Sequence, residues 1–365
     1  MSTTTELEFR IERNSSAKSD AEVAEILQNP GFGHYFTDHM VVIDWTKDGG
    51  WQDARVVPYG PLMLNPASAV LHYAQEIFEG MKAYRHADGT VHTFRPDRNA
   101  ARFAGSARRL ALPELPEELF IESLRQLVEI DQRWVPEYGK DQSLYLRPFM
   151  IANEDFLGVR AAESVSYYVI ASPAGSYFQD PTQPVSIWLE RELSRAGKGG
   201  TGAAKCGGNY AASLLPQQTA YANGCEQVLF LDAFEQKYLE ELGGMNIVLA
   251  FKDGTVATPE SDSILASVTN EAILELVAEA GHKVERRRIT LDEWREGAAA
   301  GEITEAFAVG TAAVIAPIGT LKATDFVIEN PPVTLDSLSM RIRAQLTGIQ
   351  NGEVPDTHGW LHQLV

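Results

Sequence analysis

The spacing of apolar residues predicts helices and strands that follow one another in irregular order. In segments such as 116–135, apolar residues recur every three or four positions, which is typical of a helix with one buried face. Short apolar or alternating runs bounded by turn residues indicate strands. Helices are predicted over 21–28, 98–110, 116–135, 269–280 and 337–350. Strands are predicted over 35–45, 144–152, 165–172, 185–190, 227–231, 245–251 and 306–317, the last with Gly310 inside it.

This order of elements has no steady βαβ rhythm, and it therefore predicts an α+β fold in two domains. Several prolines and one glycine lie close together between Ala171 and Pro184, which favours a linker there. We predict a smaller N-terminal domain over 1–175, a linker over 176–186 and a larger domain over 187–365. In the larger domain, Thr290 and Glu293 have the spacing of a capping box that opens a further helix.

Composition and charge narrow the class of protein. The 365 residues are 44% hydrophobic and 22% charged, which is typical of a globular protein with enough chain for two cores. With 31 basic against 50 acidic residues, the net charge is −19, which disfavours nucleic acids and anionic membranes as partners. There are two cysteines, no apolar run of membrane-spanning length and no apolar leader, so we expect a cytoplasmic protein.

The strongest chemical signal is Lys205, in a stretch that holds six glycines between Gly197 and Gly208. Glycine permits close approach of the backbone to a ligand. A lysine amine in such a tight setting can lose water, lower its pKa and attack a carbonyl carbon. This pattern indicates Schiff-base formation with an aldehyde cofactor, of which pyridoxal phosphate is the commonest.

Two other motifs can be tested against the same stretch. Residues 197–202 match the G-x-G-x-x-G spacing of dinucleotide-binding folds, but six residues separate them from the strand at 185–190, and a helical pattern follows only after Tyr210. A phosphate-binding P-loop requires Ser or Thr after its lysine, whereas Gly199 follows Lys198 and Cys206 follows Lys205. Both interpretations fail on context.

Several short motifs occur together with Lys205 and in a fixed order. They are Phe-Thr-Asp-His-Met at 36–40, Phe-Glu-Gly-Met-Lys-Ala-Tyr at 78–84, Tyr-Leu-Arg-Pro at 145–148, Lys-Cys-Gly-Gly-Asn-Tyr at 205–210, Glu-Leu-Gly-Gly-Met-Asn at 241–246 and Gly-Thr-Ala at 310–312. In this arrangement the chain resembles the branched-chain amino acid aminotransferases, which have the two-domain fold-type-IV architecture of pyridoxal-phosphate enzymes. The resemblance runs from about Gly31 to Ile349.

The resemblance implies roles for residues around the cofactor. Lys205 would hold pyridoxal 5'-phosphate as a Schiff base and then move a proton at the substrate's α-carbon. Glu241 would pair with the pyridine nitrogen, which strengthens the ring as an electron sink. Tyr210 would donate to the phenolic oxygen.

The phosphate group of the cofactor would need cationic and backbone donors. From the residues alone, Arg95, Arg98 and Arg102 are equal candidates, and the resemblance selects Arg102. The backbone N–H groups at the start of a helix form a natural phosphate cup. The remaining phosphate ligands implied by the resemblance are Val268, Thr269 and Thr311.

The resemblance also implies a substrate pocket with aromatic walls and two carboxylate contacts. Ala312 would offer a backbone N–H to the α-carboxylate, and Arg147 would meet the second carboxylate of glutamate. The other substrate-binding residues implied are Phe32, Tyr73, Phe78, Tyr145, Tyr177 and Gly244.

The chain departs from the family pattern at three places. Ser267 stands in 266–270 where many relatives have glycine, and it is expected to cap the helix instead. Gly244 stands where many relatives have threonine. Ala313 and Ala316 occupy the positions of a Cys-x-x-Cys pair found in some animal relatives, which excludes a thiol switch of that type.

The implied reaction is reversible transfer of the amino group of L-leucine, L-isoleucine or L-valine to 2-oxoglutarate, by a ping-pong route and in a homodimer. No metal is expected, because His358 and His362 lack a third ligand in the tail. The same fold serves D-amino acid aminotransferases and a lyase acting on aminodeoxychorismate. A non-catalytic relative is the other alternative, although Lys205, Glu241 and Arg102 are all present. The enantiomer that reacts, L or D, distinguishes a branched-chain aminotransferase from a D-amino acid aminotransferase.

Overall fold

The computed structural model describes residues 7–175 and 180–365. The chain divides into two compact units. The first unit comprises Met1–Ser176, Ala204–Gly207 and Ile349–Val365, and the second comprises Tyr177–Ala203 and Gly208–Gly348. The C-terminal segment thus packs with the first unit, which differs from a boundary that assigns all of 187–365 to one domain. Such a return of the chain leaves no mark in the local sequence pattern.

Eight α-helices lie within the described ranges. They are α1 (Asp20–Ile26), α2 (Ala69–Tyr73), α3 (Pro96–Arg109), α4 (Glu117–Ile130), α5 (Gly207–Ala222), α6 (Val268–Glu279), α7 (Leu291–Ala300) and α8 (Leu338–Gln350), with a 3₁₀ turn at Gln132–Trp134.

Strands β1 to β8 and β18 form the nine-stranded sheet of the first unit, in the order β1-β3-β2-β8-β7-β5-β6-β18 with β4 beside β7. Their bounds are β1 (Arg10–Ile11), β2 (His39–Thr46), β3 (Gly50–Pro58), β4 (Glu76–Phe78), β5 (Met81–Arg85), β6 (Val91–Phe94), β7 (Ser143–Ala152), β8 (Ser164–Ala174) and β18 (Leu361–Gln363). The sheet is antiparallel except where β1 meets β3. Its core includes an aromatic cluster, in which Phe103 of α3, Phe120 of α4 and Tyr167 of β8 pack together with ring centroids 5.5 to 6.3 Å apart.

The second unit has its own nine-stranded sheet, in the order β11-β10-β9-β16-β15-β12-β13-β14 with β17 beside β16. Its strands are β9 (Val185–Glu190), β10 (Gln227–Leu231), β11 (Leu239–Leu242), β12 (Asn246–Phe251), β13 (Thr255–Pro259), β14 (Lys283–Arg287), β15 (Ile303–Gly310), β16 (Val314–Lys322) and β17 (Val327–Glu329). Parallel pairs at β9 and β13 are mixed with antiparallel ones. Both units therefore combine helices with mixed or antiparallel sheets, which confirms the predicted α+β class.

The predicted N-terminal caps of two helices are confirmed. The Ser267 hydroxyl accepts from the backbone N–H of Asn270 at 3.1 Å and so caps α6. The Thr290 hydroxyl accepts from the backbone N–H of Glu293 at 3.0 Å at the start of α7. Each cap satisfies a donor that the helix leaves open, and its loss typically costs about 1 kcal/mol.

The prediction of one strand over 306–317 is wrong. Strands β15 and β16 form an antiparallel hairpin, and Gly310 pairs with Val314 across its turn. Most residues of both strands are buried, and the turn between them contributes only one polar residue, Thr311, so the apolar pattern does not mark the turn. Val314 adopts a positive φ of 62°, a backbone conformation that is rare for a β-branched residue, so the sequence gives no signal for it.

Three other expectations need smaller corrections. Helix α8, predicted over 337–350, is not the last element of the chain. Strand β18 follows it and pairs with β6 in the first unit. The proposed linker region begins inside β8, which continues to Ala174. Helix α5 begins at Gly207, so Tyr210 lies in its first turn, where the sequence indicates no helical pattern.

A buried polar network ties the start of β2 to the 3₁₀ turn. The Asp38 carboxylate accepts from Trp134 Nε1 at 2.7 Å, from Arg133 Nη2 at 2.7 Å and from the Lys18 backbone N–H at 3.0 Å. Burial by itself would raise the pKa of Asp38, but these hydrogen bonds outweigh it and hold the pKa below its usual range. The carboxylate therefore contributes to stability in its ionised form.

No helix in the described ranges is long and apolar enough to cross a membrane. Among the same residues, no group of three or more His, Cys, Asp and Glu side chains has an arrangement that could hold a metal ion.

Candidate active site

Lys205 is held by its backbone on both sides. Its N–H donates to the Ser106 hydroxyl on α3 at 2.9 Å, and its carbonyl accepts from the N–H of Phe78, at the end of β4, at 3.0 Å. The Lys205 Nζ atom lies 4.8 Å from the centroid of the Phe78 ring. The side chain is thus half-buried on an aromatic face, with little freedom in its main chain.

The glycines around Lys205 allow close packing of the backbone. The Gly207 N–H donates to the Glu76 carboxylate, and a Cβ at Gly207 would overlap that carboxylate. Burial raises the pKa of Glu76, although the Gly207 N–H and the charge of Arg147 partly oppose the rise. A Cβ at Gly202 would lie 2.8 Å from Ala196 Cβ and still closer to the Ser263 carbonyl. Glycine is therefore required by sterics at position 202, where the neighbour is backbone, whereas at Gly207 the neighbour is the end of a flexible side chain.

Arg102 lies in α3 and makes a bidentate ion pair with Glu79. Its Nε and Nη2 atoms each lie 2.7 Å from a different oxygen of the Glu79 carboxylate. Asn99, one turn earlier on α3, donates to the same carboxylate at 2.7 Å. Glu79 is fully buried and the Arg102 side chain is only 12% exposed, so the pair is well shielded from water.

Four of the predicted substrate-binding residues form one aromatic and cationic cluster in the first unit. The Arg147 guanidinium lies over the rings of Phe78 and Tyr145, at 4.8 and 5.3 Å, and donates to the Tyr145 hydroxyl at 3.0 Å. Phe32 meets Tyr145 edge-on at 5.1 Å. A Cβ at Gly80 would lie 2.9 Å from Tyr145 Cζ, so glycine there allows the ring to sit against the backbone.

Two further predicted pocket residues lie elsewhere or outside the described ranges. Tyr73, at the end of α2, donates to the Leu157 carbonyl and packs near Phe156 at 6.3 Å. Its ring is partly exposed. Tyr177 lies outside the described residues, so its predicted role as a pocket wall stays a prediction.

In the second unit, Glu241 is buried in β11 and paired with Arg195. Arg195 Nη1 lies 2.7 Å from Glu241 Oε1, and both side chains are less than 5% exposed. The backbone N–H of Leu265 donates to the same oxygen at 3.0 Å. This carboxylate is therefore a buried group with charged and backbone partners.

Tyr210 and Gly244 lie close to this ion pair. The Arg195 guanidinium is 5.9 Å from the centroid of the Tyr210 ring. A Cβ at Gly244 would be 3.9 Å from Tyr210 Cε1, in ordinary van der Waals contact, so a larger residue would reach the ring. Gly244 itself is exposed. Two of the predicted cofactor residues of the second unit, Glu241 and Tyr210, thus lie near the same arginine, Arg195.

The predicted phosphate ligands of the second unit lie at the ends of regular elements. Val268 and Thr269 form the first turn of α6, where backbone N–H groups carry the positive end of the helix dipole. Thr311 and Ala312 lie in the turn between β15 and β16. That turn begins after Gly310, whose Cβ would lie 2.9 Å from the side chain of Met245, the residue after Gly244.

Two charged residues at these sites were not identified from the sequence. Glu79 lies within the 78–84 motif, and that position was the available signal for it. Arg195 lies 46 positions before Glu241 in a segment without a motif, so nothing in the sequence pairs the two residues. Glu79 contacts Arg102 and Arg195 contacts Glu241, and both of these partners were identified from the sequence.

Comparison with known proteins extends these observations. Residues 76–321 match the family described as "Amino-transferase class IV". The chain is 55% identical over 362 residues to the branched-chain-amino-acid aminotransferase of Mycolicibacterium smegmatis, covering 98% of each chain. It is 53% identical to the enzyme of that name from Mycobacterium tuberculosis, again covering 98% of each.

Solved structures agree with this similarity. The Escherichia coli branched-chain amino acid aminotransferase superposes with a TM-score of 0.72 at 25% identity, covering 88% of this chain and 99% of that one. The branched-chain amino acid aminotransferase of a T.th. strain, solved with pyridoxamine 5'-phosphate, gives 0.73 at 25% identity, covering 88% and 98%. These similarities confirm the fold-type-IV architecture. A family match over two thirds of the sequence and full-length relatives above 50% identity lead to one conclusion: this chain belongs to the class IV aminotransferases.

Proposed function

We propose that this chain transfers the amino group of L-leucine, L-isoleucine or L-valine to 2-oxoglutarate, reversibly and by a ping-pong route, with pyridoxal 5'-phosphate as its cofactor. The observation that carries the proposal is Lys205, a half-buried amine held between α3 and β4 and set against the Phe78 ring. The full-length relatives named for branched-chain amino acids supply the substrate class.

The residues present fit this cofactor. Lys205 supplies an amine, Glu241 a buried carboxylate, Arg102 a cation and α6 a helix N-terminus, and these are the groups that an aldehyde, a pyridine nitrogen and a phosphate require. When bound, pyridoxal phosphate supplies an electrophilic carbonyl carbon and a ring that delocalises negative charge from the substrate's α-carbon.

Lys205 is assigned as the residue that moves the proton. Its Nζ takes the proton from the substrate's α-carbon, which requires the amine to be neutral at that moment. In the same proposal, Glu241 stays ionised against Arg195 and pairs with the pyridine nitrogen, while Tyr210 donates to the phenolic oxygen.

Binding of phosphate and substrate is assigned to the remaining residues. Arg102, the N–H groups of Val268 and Thr269, and the Thr311 hydroxyl hold the phosphate. Ala312 offers its N–H to the α-carboxylate. The side chain of the substrate is assigned to the cluster of Phe32, Phe78 and Tyr145. Tyr73, Tyr177 and Gly244 stay predictions for the rest of the pocket.

Arg147 lets one pocket accept both apolar and acidic substrates. Its guanidinium is stacked on Phe78 and Tyr145, so an aliphatic side chain can pack on the rings while the γ-carboxylate of glutamate meets the guanidinium. This dual use is what a transfer between leucine and 2-oxoglutarate requires.

We further propose that the protein is a cytoplasmic homodimer. Both cysteines, Cys206 and Cys225, are buried and free, in keeping with a reducing compartment. Large apolar side chains that a partner could cover are exposed in the first unit, among them Met63, Leu157 and Val159. Light scattering with size-exclusion chromatography tests the assembly: a mass of about one chain would reject it.

The decisive experiment follows the visible absorption band of the holoenzyme. L-leucine is expected to abolish the band and 2-oxoglutarate to restore it, whereas Lys205→Ala is expected to show no such cycle. A band that responds only to D-leucine would assign the protein to the D-amino acid aminotransferases of the same fold. A protein that binds pyridoxal phosphate but responds to neither enantiomer would reject the transamination.

A further inference from the structure

Glu79 is the most heavily coordinated buried carboxylate near the lysine. It directly follows β4 and is fully buried. One carboxylate oxygen accepts from Arg102 Nε at 2.7 Å. The other accepts from Arg102 Nη2 at 2.7 Å, from Asn99 Nδ2 at 2.7 Å and from the Gly80 N–H at 3.2 Å. Four donors from α3 and the β4–β5 turn therefore fix this side chain in one orientation.

We propose that Glu79 is a positioning residue that orients the Arg102 guanidinium toward the cofactor's phosphate. This inference rests on the proposed function, because it takes Arg102 as a phosphate ligand.

The orientation follows from the geometry of the guanidinium. An arginine has two edges that can make parallel pairs of hydrogen bonds. Glu79 takes the Nε/Nη2 edge of Arg102, so a phosphate oxygen has to approach from the side of Nη1. Asn99, placed one turn before Arg102 on α3, keeps Glu79 from rotating. The direction of Arg102 is thus set before any anion arrives.

The ionised state of Glu79 fits this orienting role. Burial alone would raise the pKa of Glu79, but the charge and hydrogen bonds of Arg102, the charge of Lys205 and the hydrogen bond of Asn99 hold it below its usual range. Glu79 is therefore ionised, and its hydrogen bonds with Arg102 are charge-assisted.

A carboxylate with a purely structural role predicts a different behaviour. Removing it would lower stability, but it would weaken binding of pyridoxal 5'-phosphate and of pyridoxal, which lacks the phosphate, by the same factor. A positioning residue for Arg102 changes the ratio of the two affinities, because only one of the ligands uses Arg102.

The test uses the full-length protein depleted of cofactor and titrated with pyridoxal 5'-phosphate and with pyridoxal. In Glu79→Gln, the preference for the phosphorylated ligand is expected to fall by about tenfold to a hundredfold, the loss typical when a partner that orients a binding residue is removed. The matched control is Glu114→Gln, which breaks the exposed ion pair with Arg108 near the end of the same helix and should leave the ratio unchanged.

A second variant covers the case in which Glu79→Gln does not fold. Glu79→Asp keeps the charge but shortens the reach to Arg102, so it should also reduce the affinity ratio.

An affinity ratio within about twofold of the unaltered protein in folded Glu79 variants would overturn the proposal. If instead the proposed function is wrong, the unaltered holoenzyme itself will not respond to L-leucine. This outcome distinguishes the two failures.

Discussion

Removal of the Arg195 charge should destabilise the second unit strongly. Arg195→Met keeps an unbranched apolar stem of similar length and removes the guanidinium. Glu241 would then remain in its buried position, with the Leu265 N–H and without the cation 2.7 Å away. A carboxylate in this position cannot regain water without opening β11. The expected result is a loss of stability in the second unit.

The magnitude follows from the burial of the pair. The two side chains are 2% and 4% exposed, so the discount for solvent screening that applies to surface pairs is small here. Breaking a buried ion pair by removing one partner typically costs about 3–5 kcal/mol. The guanidinium's contact with the Tyr210 ring at 5.9 Å adds at most about 1 kcal/mol. We therefore expect a total of about 3–5 kcal/mol.

Native-state hydrogen exchange measures this loss where it occurs. Amides of β11 and β12 should exchange faster by about a hundredfold or more, since 1.4 kcal/mol corresponds to a factor of ten. Amides of β7 and β8, in the first unit, serve as the internal reference. Arg191→Met is the matched control, because Arg191 is 41% exposed and its pair with Asp325 should contribute less than about 1 kcal/mol.

A double variant separates charge from packing. Arg195→Met with Glu241→Gln removes the unpaired charge, so it should be more stable than Arg195→Met alone. Exchange in Arg195→Met that stays within about threefold of the unaltered protein would refute the claim that this buried pair holds Glu241 in place. A double variant less stable than Arg195→Met would refute the role of the unpaired charge.

Three further predictions concern caps, sterics and pH. Ser267→Ala should lower the free energy of unfolding by about 1 kcal/mol in urea titrations, because α6 loses its cap, and an unchanged midpoint would contradict this. Gly202→Ala should cost about 1–3 kcal/mol because its Cβ meets the Ser263 carbonyl, whereas Gly208→Ala, with open space around it, should be neutral; equal effects would contradict the packing. The depressed pKa of Asp38 means that its contribution is complete above its unfolded pKa of about 3.9 and is lost as pH falls through the folded value. The stability difference between the unaltered protein and Asp38→Asn should therefore be constant above about pH 5 and shrink below pH 4, and a difference that grows in acid would reverse this sign.

The parts of the fold that the sequence predicts well are those with a strong local pattern. Helix α3 and strand β7 lie within two residues of their predicted bounds, because apolar periodicity and the flanking polar residues both mark them. The Ser267 cap was also predictable, since the hydroxyl acts on an N–H only three residues away.

What escaped prediction depends on contacts that are distant in sequence. Strand β18 pairs with β6 across more than 260 residues, and no local pattern encodes that partner. The turn after Gly310 has no clear signal in the sequence, because largely buried strands flank it and it holds only one polar residue, Thr311. Glu79 and Arg195 were missed for the same reason, because their importance lies in pairing with Arg102, 23 positions away, and with Glu241.

The candidate site shows the same division. Lys205 was identified from the surrounding glycines alone, because a glycine-rich stretch predicts the close packing that is found at Gly202 and Gly207. Arg102 could not be separated from Arg95 and Arg98 by pattern. The structure gives it a buried carboxylate partner, and the choice made from the family resemblance remains a proposal.

The central claim is that Lys205 carries the cofactor and gives it up to a branched-chain substrate. Borohydride reduction of the holoenzyme, followed by peptide mass spectrometry, tests this most directly. The account predicts that the peptide with Lys205 gains the mass of the reduced pyridoxyl phosphate, and that prior addition of L-leucine without 2-oxoglutarate prevents the gain. Modification of another lysine, or a Lys205 adduct that L-leucine does not diminish, would contradict it.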